Sequence, residues 1–112
     1  MCASIGYGQW HSDSLEFYNS GGRSPVTQNY CMGVWTSTGI NTYQLNHFAV
    51  TYDSTGAYNG KANITENITL STGGTRYSGA FTITQFNKNG VQVDPAFGQL
   101  TATRITVDTT TP

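Results

Sequence analysis

The sequence predicts an all-β chain folded as an antiparallel up-and-down barrel of about seven to eight strands, with a two-sheet sandwich as the second arrangement. Three observations carry this expectation. Turn-forming clusters recur at short intervals: Ser20-Gly-Gly-Arg-Ser-Pro25, Ser37-Thr-Gly39, Asp53-Ser-Thr-Gly56, Ser71-Thr-Gly-Gly-Thr75 and Asn87-Lys-Asn-Gly90. No window long enough for a helix repeats its apolar residues at helical period. From Thr42 onward the segments between turns are long and consecutive, the pattern of a meander that can curl and close on itself.

The elements follow in order. Ile5–Trp10 and Leu15–Asn19 read as short strands separated by His11-Ser-Asp13, where His11 is a turn residue with little claim on chemistry. Tyr30–Trp35 is the third strand. Thr42–Tyr52 is the fourth, and both of its faces are apolar: Tyr43, Leu45 and Ala49 accompany His47, while Phe48, Val50 and Tyr52 lie opposite, so periodicity leaves the direction of His47 open. Tyr58–Leu70 alternates strictly. Ala62, Ile64, Glu66, Ile68 and Leu70 share one side and Lys61, Asn63, Thr65, Asn67 and Thr69 the other, which puts a carboxylate among buried aliphatics. Tyr77–Phe86 follows, and Pro95, which lacks an N–H, marks the approach to a last strand over Phe97–Val107. Asp108–Pro112 has no apolar anchor and, with residues 1–4, is expected to be frayed.

Composition narrows the function classes. A chain of 112 residues is one domain with a thin core. Five Lys and Arg against six Asp and Glu give a net charge of -1, which offers no footprint for nucleic acid or an anionic membrane. No apolar run reaches the length of a membrane span, and Met1–Tyr7 has neither the basic start nor the apolar core of a signal peptide. The low content of charge and the abundance of hydroxyl side chains suit an exported protein. Cys2 and Cys31 permit one disulfide, but spacing cannot bring them together, and two unpaired thiols with Cys31 buried in its strand is the simpler expectation. The sequons at Asn63 and Asn67 fall on a strand's outer face, where chance in a Thr-rich chain accounts for them.

From Tyr7 to Val107 the order of motifs resembles a family of small exported bacterial proteins with a lipocalin-like, calycin-type barrel, largely uncharacterised. The residues that carry the resemblance are Gly8-Gln-Trp-His-Ser-Asp13 with Glu16-Phe17, Cys31-Met-Gly-Val-Trp35, Tyr43-Gln-Leu-Asn-His47, Tyr52-Asp53, Glu66-Asn-Ile-Thr-Leu70, Tyr77-Ser-Gly-Ala-Phe81 and Ala102-Thr-Arg-Ile105. The resemblance implies the fold more firmly than any activity. Relatives usually open with a further strand bearing a Gly-x-Trp element, and here only Met1–Gly8 precedes the matching segment, which implies a barrel one N-terminal strand short. An open barrel has free edges, so a homodimer or higher homo-oligomer is expected, with Ile5–Trp10 placed across the gap.

A carboxylate inside a barrel needs a partner or a changed protonation state. For Glu66 the candidate is Arg104 on the last strand, either as an inward ion pair that anchors a ligand or, as the resemblance implies, as a plug stacked on Trp35 or Trp10. An inward His47 beside Glu66 makes an acid–base pair suited to moving a proton α to a carbonyl or to activating water; the plainer reading is a hydrogen-bonded histidine. Seven Tyr, five Phe and two Trp can line a cavity, or fill it solid. No serine sits in a nucleophile elbow, no Cys or His spacing makes a metal site, and no glycine loop cradles a phosphate, so neither a metal nor a cofactor is predicted. The expected function is therefore binding of a small hydrophobic or amphipathic ligand by Glu66, Arg104, His47, Tyr43, Tyr77, Phe81, Gln85 and Trp35. Two alternatives stand beside it: a cofactor-independent isomerase, cyclase or hydrolase with Glu66 or His47 as general base, and a structural or interaction barrel with a solid core.

Overall fold

The computed structural model describes residues 6–19, 21, 24, 26–27 and 30–111. They form β1 (Tyr7–Trp10), β2 (Leu15–Asn19), β3 (Tyr30–Gly39), β4 (Thr42–Tyr52), β5 (Tyr58–Leu70), β6 (Arg76–Asn87) and β7 (Ala96–Thr103). All seven strands lie in one sheet in sequence order, each antiparallel to the next. The architecture is the expected up-and-down meander, curled into a half-barrel in which β1 and β7 are its two edges. Among the described residues there is no helix, and so none long and apolar enough to cross a membrane. The start of the first strand at Ile5, most of the Ser20–Pro25 turn and Cys2 lie outside the described residues.

The turns work by the chemistry their residues carry. Asp53 Oδ1 accepts the backbone N–H of Thr55 at 2.8 Å and of Ala57 at 3.1 Å. Asn87 Oδ1 does the same for Asn89 at 2.9 Å and Val91 at 3.1 Å. In both loops a glycine supplies the left-handed step, Gly56 at φ 84° and Gly90 at φ 78°.

Two boundaries differ from expectation. β3 continues past Trp35 to Gly39, and the turn lies at Ile40-Asn41, where Asn41 adopts φ 56°. The Ser37-Thr-Gly39 cluster makes a bulge inside the ladder rather than the loop. The last strand stops at Thr103 instead of Val107 because its neighbour begins at Arg76, the partner of Thr103. Only one further bond, from Arg104 N–H to Thr75 C=O at 2.8 Å, extends the ladder.

The concave face holds the core: Cys31, Leu45, Ala49, Ala62, Ile64, Ile68 and Ile83 are buried there, with Tyr18 and Phe81 packed alongside. β5 alternates as its sequence demands, with Ala62, Ile64, Glu66 and Ile68 inward. Cys31 is disulfide-bonded, which corrects the expectation of a free thiol.

One rung of the ladder runs Trp10, Glu16, Gly33, His47, Ile64, Ile83 across six strands. Gly33 is the place where it carries no side chain. A Cβ there would lie 2.3 Å from Asn46 O and 2.4 Å from His47 Cβ. Gly33→Ala therefore forces β3 and β4 apart beside His47, and its unfolding midpoint is expected to fall by the equivalent of about 1–3 kcal/mol. Thermal denaturation followed by circular dichroism measures this; an unchanged midpoint means that the backbone there is not close-packed.

Candidate functional site

Two strand spacings separate Glu16 on β2 from His47 on β4, about 10 Å between backbones. Because Gly33 stands between them without a side chain, the Glu16 carboxylate reaches over it, and Oε2 lies 2.7 Å from His47 Nδ1. Glu66 sits on β5, diagonal to His47, whose direct neighbour is Ile64. Its Oε1 lies 3.6 Å from His47 Nε2. The three side chains form a line of carboxylate, imidazole and carboxylate, all buried. Glu66 thus finds its cation in His47.

Burial alone would lower the pKa of His47. The hydrogen bond that His47 donates to Glu16, with the interaction with Glu66 and the coulombic effect of both carboxylates adding to it, outweighs that effect and raises it from 6.5 to about 9. At neutral pH His47 is an imidazolium that donates from Nδ1 to Glu16. Its Nε2 has no acceptor within hydrogen-bond range, since 3.6 Å to Glu66 is an ion-pair contact. Of the two ring protons, the one on Nδ1 is therefore the one held by a hydrogen bond.

Beyond Glu66 the concave face opens into a cleft of about 1000 Å³ between the β1 edge and the β6–β7 hairpin. Trp10, Tyr18, Trp35, Tyr43, Tyr77 and Glu66 line its inner part. Trp10 is central to the aromatic wall: its ring lies 5.7 Å from Trp35, 5.6 Å from Tyr43 and 5.5 Å from Tyr77. Trp35 Nε1 donates to His11 C=O at 3.0 Å, which ties the β1–β2 loop to this wall. Burial, reinforced by the charges of Glu66 and Glu16, pushes the Tyr18 phenol up to about 12, and the same causes raise that of Tyr77 further. Both stay protonated.

The structure thus gathers Glu66, Trp35, Tyr43, Tyr77 and Arg104 around one cleft. Arg104 is at the rim, exposed beyond the end of β7, and makes no ion pair with Glu66. Neither the inward pair nor a stacked plug forms, because the strand that would have carried Arg104 inward ends one residue earlier. His47 faces inward but lies behind Glu66, outside the cleft lining. Phe81 leans over β7, where a Cβ on Gly98 would come within 2.5 Å of its ring. Gln85 pairs across from Ala62, four residues along β6 from the partner of Glu66. Among the described residues no group of three His, Cys, Asp or Glu converges as metal ligands would, since the carboxylates address opposite nitrogens of His47.

Sequence reasoning missed Glu16 and Tyr18. Their strand neighbours Leu15 and Phe17 look like the core face, yet Leu15 is 41% exposed and Phe17 stacks outside on Tyr30 at 6.1 Å. The usable signal was that Glu16-x-Tyr18 shares one face with Trp10 across the hairpin. No family model matches the chain, and comparison with curated proteins and with solved structures finds no similar chain.

Because the folded state binds the His47 proton more tightly than the unfolded chain, the network's contribution to stability is complete below pH 6.5 and is lost as pH rises through 9. The loss is on the order of 3 kcal/mol. Chemical denaturation at pH values across this window should show it, and Glu16→Gln should flatten the profile. A wild-type stability that does not change over this range contradicts the imidazolium.

Proposed function

We propose that the chain is a small-molecule-binding half-barrel of lipocalin-like character, and that its cleft takes an amphipathic ligand. The observation that carries the reading is the cleft itself. It has the volume of a ligand site, apolar aromatic walls, and one buried carboxylate at its floor. Trp10, Trp35, Tyr43 and Tyr77 supply the apolar contact, Glu66 the polar anchor and Arg104 a charge at the rim. Phe81 and Gln85 serve the adjoining core and hairpin.

Proton-transfer catalysis is a second reading, favoured by one observation: Glu66 reaches the cleft while an imidazolium stands behind it. In that case Glu66 is the base. His47, charged at neutral pH, orients and stabilises it. Export is supported by the neutral, hydroxyl-rich composition and by the disulfide at Cys31, which an oxidising compartment maintains. The unpaired outer edges of β1 and β7 among the described residues support a homo-oligomer formed by pairing with a second copy.

Native mass spectrometry of the purified protein tests the binding reading and the subunit count together. A bound nonprotein mass is expected, on a dimer or larger assembly. Trp10→Ala, which removes the ring touching three others, is expected to weaken retention by roughly thirtyfold while the far-ultraviolet spectrum is kept. Retention unaffected by Trp10→Ala moves the ligand away from this cleft, and a monomer at every concentration removes the oligomer.

A further inference from the structure

Glu66 is 5% exposed, yet it lines the cleft. Among the described residues its charged contact is the 3.6 Å approach to His47 Nε2, while the Nδ1–H of the same ring is donated to Glu16 at 2.7 Å. Two carboxylates share the one imidazole, and Glu66 is the member that lines the open space. Among the described residues no lysine or arginine lies within ion-pair distance of it. Buried polar groups are held by close partners, and Glu66, at 3.6 Å from a ring that bonds Glu16 at 2.7 Å, has the weaker hold of the two.

The surfaces beside it have the same preference. The phenols of Tyr18 and Tyr77 sense the charge of Glu66, and Trp10 packs against Tyr77. Aromatic faces carry negative charge density and attract cations. A nearly buried carboxylate that lines the cleft beside Trp10, Tyr43 and Tyr77 favours a cation over an anion or a neutral group.

We propose that the cleft binds an organic cation, a protonated amine or quaternary ammonium, with its charged head against Glu66 and the ring faces of Trp10 and Tyr77. This rests on the binding reading above and names the ligand class. Arg76 and Arg104, exposed at the rim of the same cleft, add a condition. The positive charge sits at one end of the ligand, and the part that passes the arginines is neutral or anionic.

Both tryptophans of the chain line the cleft, so tryptophan emission, excited selectively over the tyrosines, reports on this site. Three probes separate the possibilities: phenyltrimethylammonium, its neutral isostere tert-butylbenzene, and benzenesulfonate. The ammonium is expected to bind at least about tenfold more tightly than the other two. Glu66→Gln, checked for folding by circular dichroism, should erase that margin. If this variant does not fold, the wild-type ranking still decides, and Tyr77→Leu provides a second variant that should narrow the margin without removing the carboxylate. Equal or tighter binding of tert-butylbenzene or benzenesulfonate overturns the cation assignment and leaves the cleft as a binding site. No fluorescence change with any probe, together with no retained mass, overturns both.

Discussion

The imidazolium of His47 is the constraint on which the rest of the structure depends. A lone charge in the interior of a 112-residue chain would outweigh much of the stability such a core provides. It is tolerated because Glu16 lies at hydrogen-bond distance and Glu66 within ion-pair distance. Those partners come from β2 and β5, on either side of β4, so satisfying one side chain fixes the relation of four strands. Gly33 belongs to the same constraint. Any side chain there would separate the Glu16 carboxylate from the ring, and the charge would lose its closest partner.

The same arrangement divides labour between two carboxylates that are alike in sequence. Glu16 is spent on the histidine. Glu66, nearly buried, lines the cleft with His47 behind it. A site of this kind needs no metal ligand set and no nucleophile, and it explains why no local motif announces it. Its parts are scattered over β1 to β6, and the curl of the sheet brings them together.

How much of this was legible can be judged residue by residue. The strand order and most boundaries follow from turn chemistry, because Asp53 and Asn87 carry their own hydrogen-bond acceptors and each is followed by a glycine. Glu66 was legible because one face of β5 is polar throughout, which leaves only one direction for the other. His47 was not, since β4 is apolar on both faces and periodicity has nothing to discriminate. Glu16 was hidden for the opposite reason: the apolar residues of β2 point outward, so the usual sign of a core face misleads. The expected role of Arg104 failed on length. The last strand was read to Val107 from its own alternation, but a strand persists only while a neighbour is there to pair with it, and β6 begins opposite Thr103.

The neighbour-to-neighbour sheet also bears on how the molecule assembles. Each strand pairs only with its sequence neighbours, so most ladders close by short connections, the β2–β3 link over residues 20–29 being the longest, and modest loop entropy is lost at each step. Contacts of this kind favour rapid folding for an all-β chain. The bond between Glu16 and His47 spans 31 residues and skips a strand, which makes it dependent on two ladders already being in register. The cleft floor therefore reports on the completeness of folding, and a chain whose first hairpin has not yet docked has no ordered site to offer.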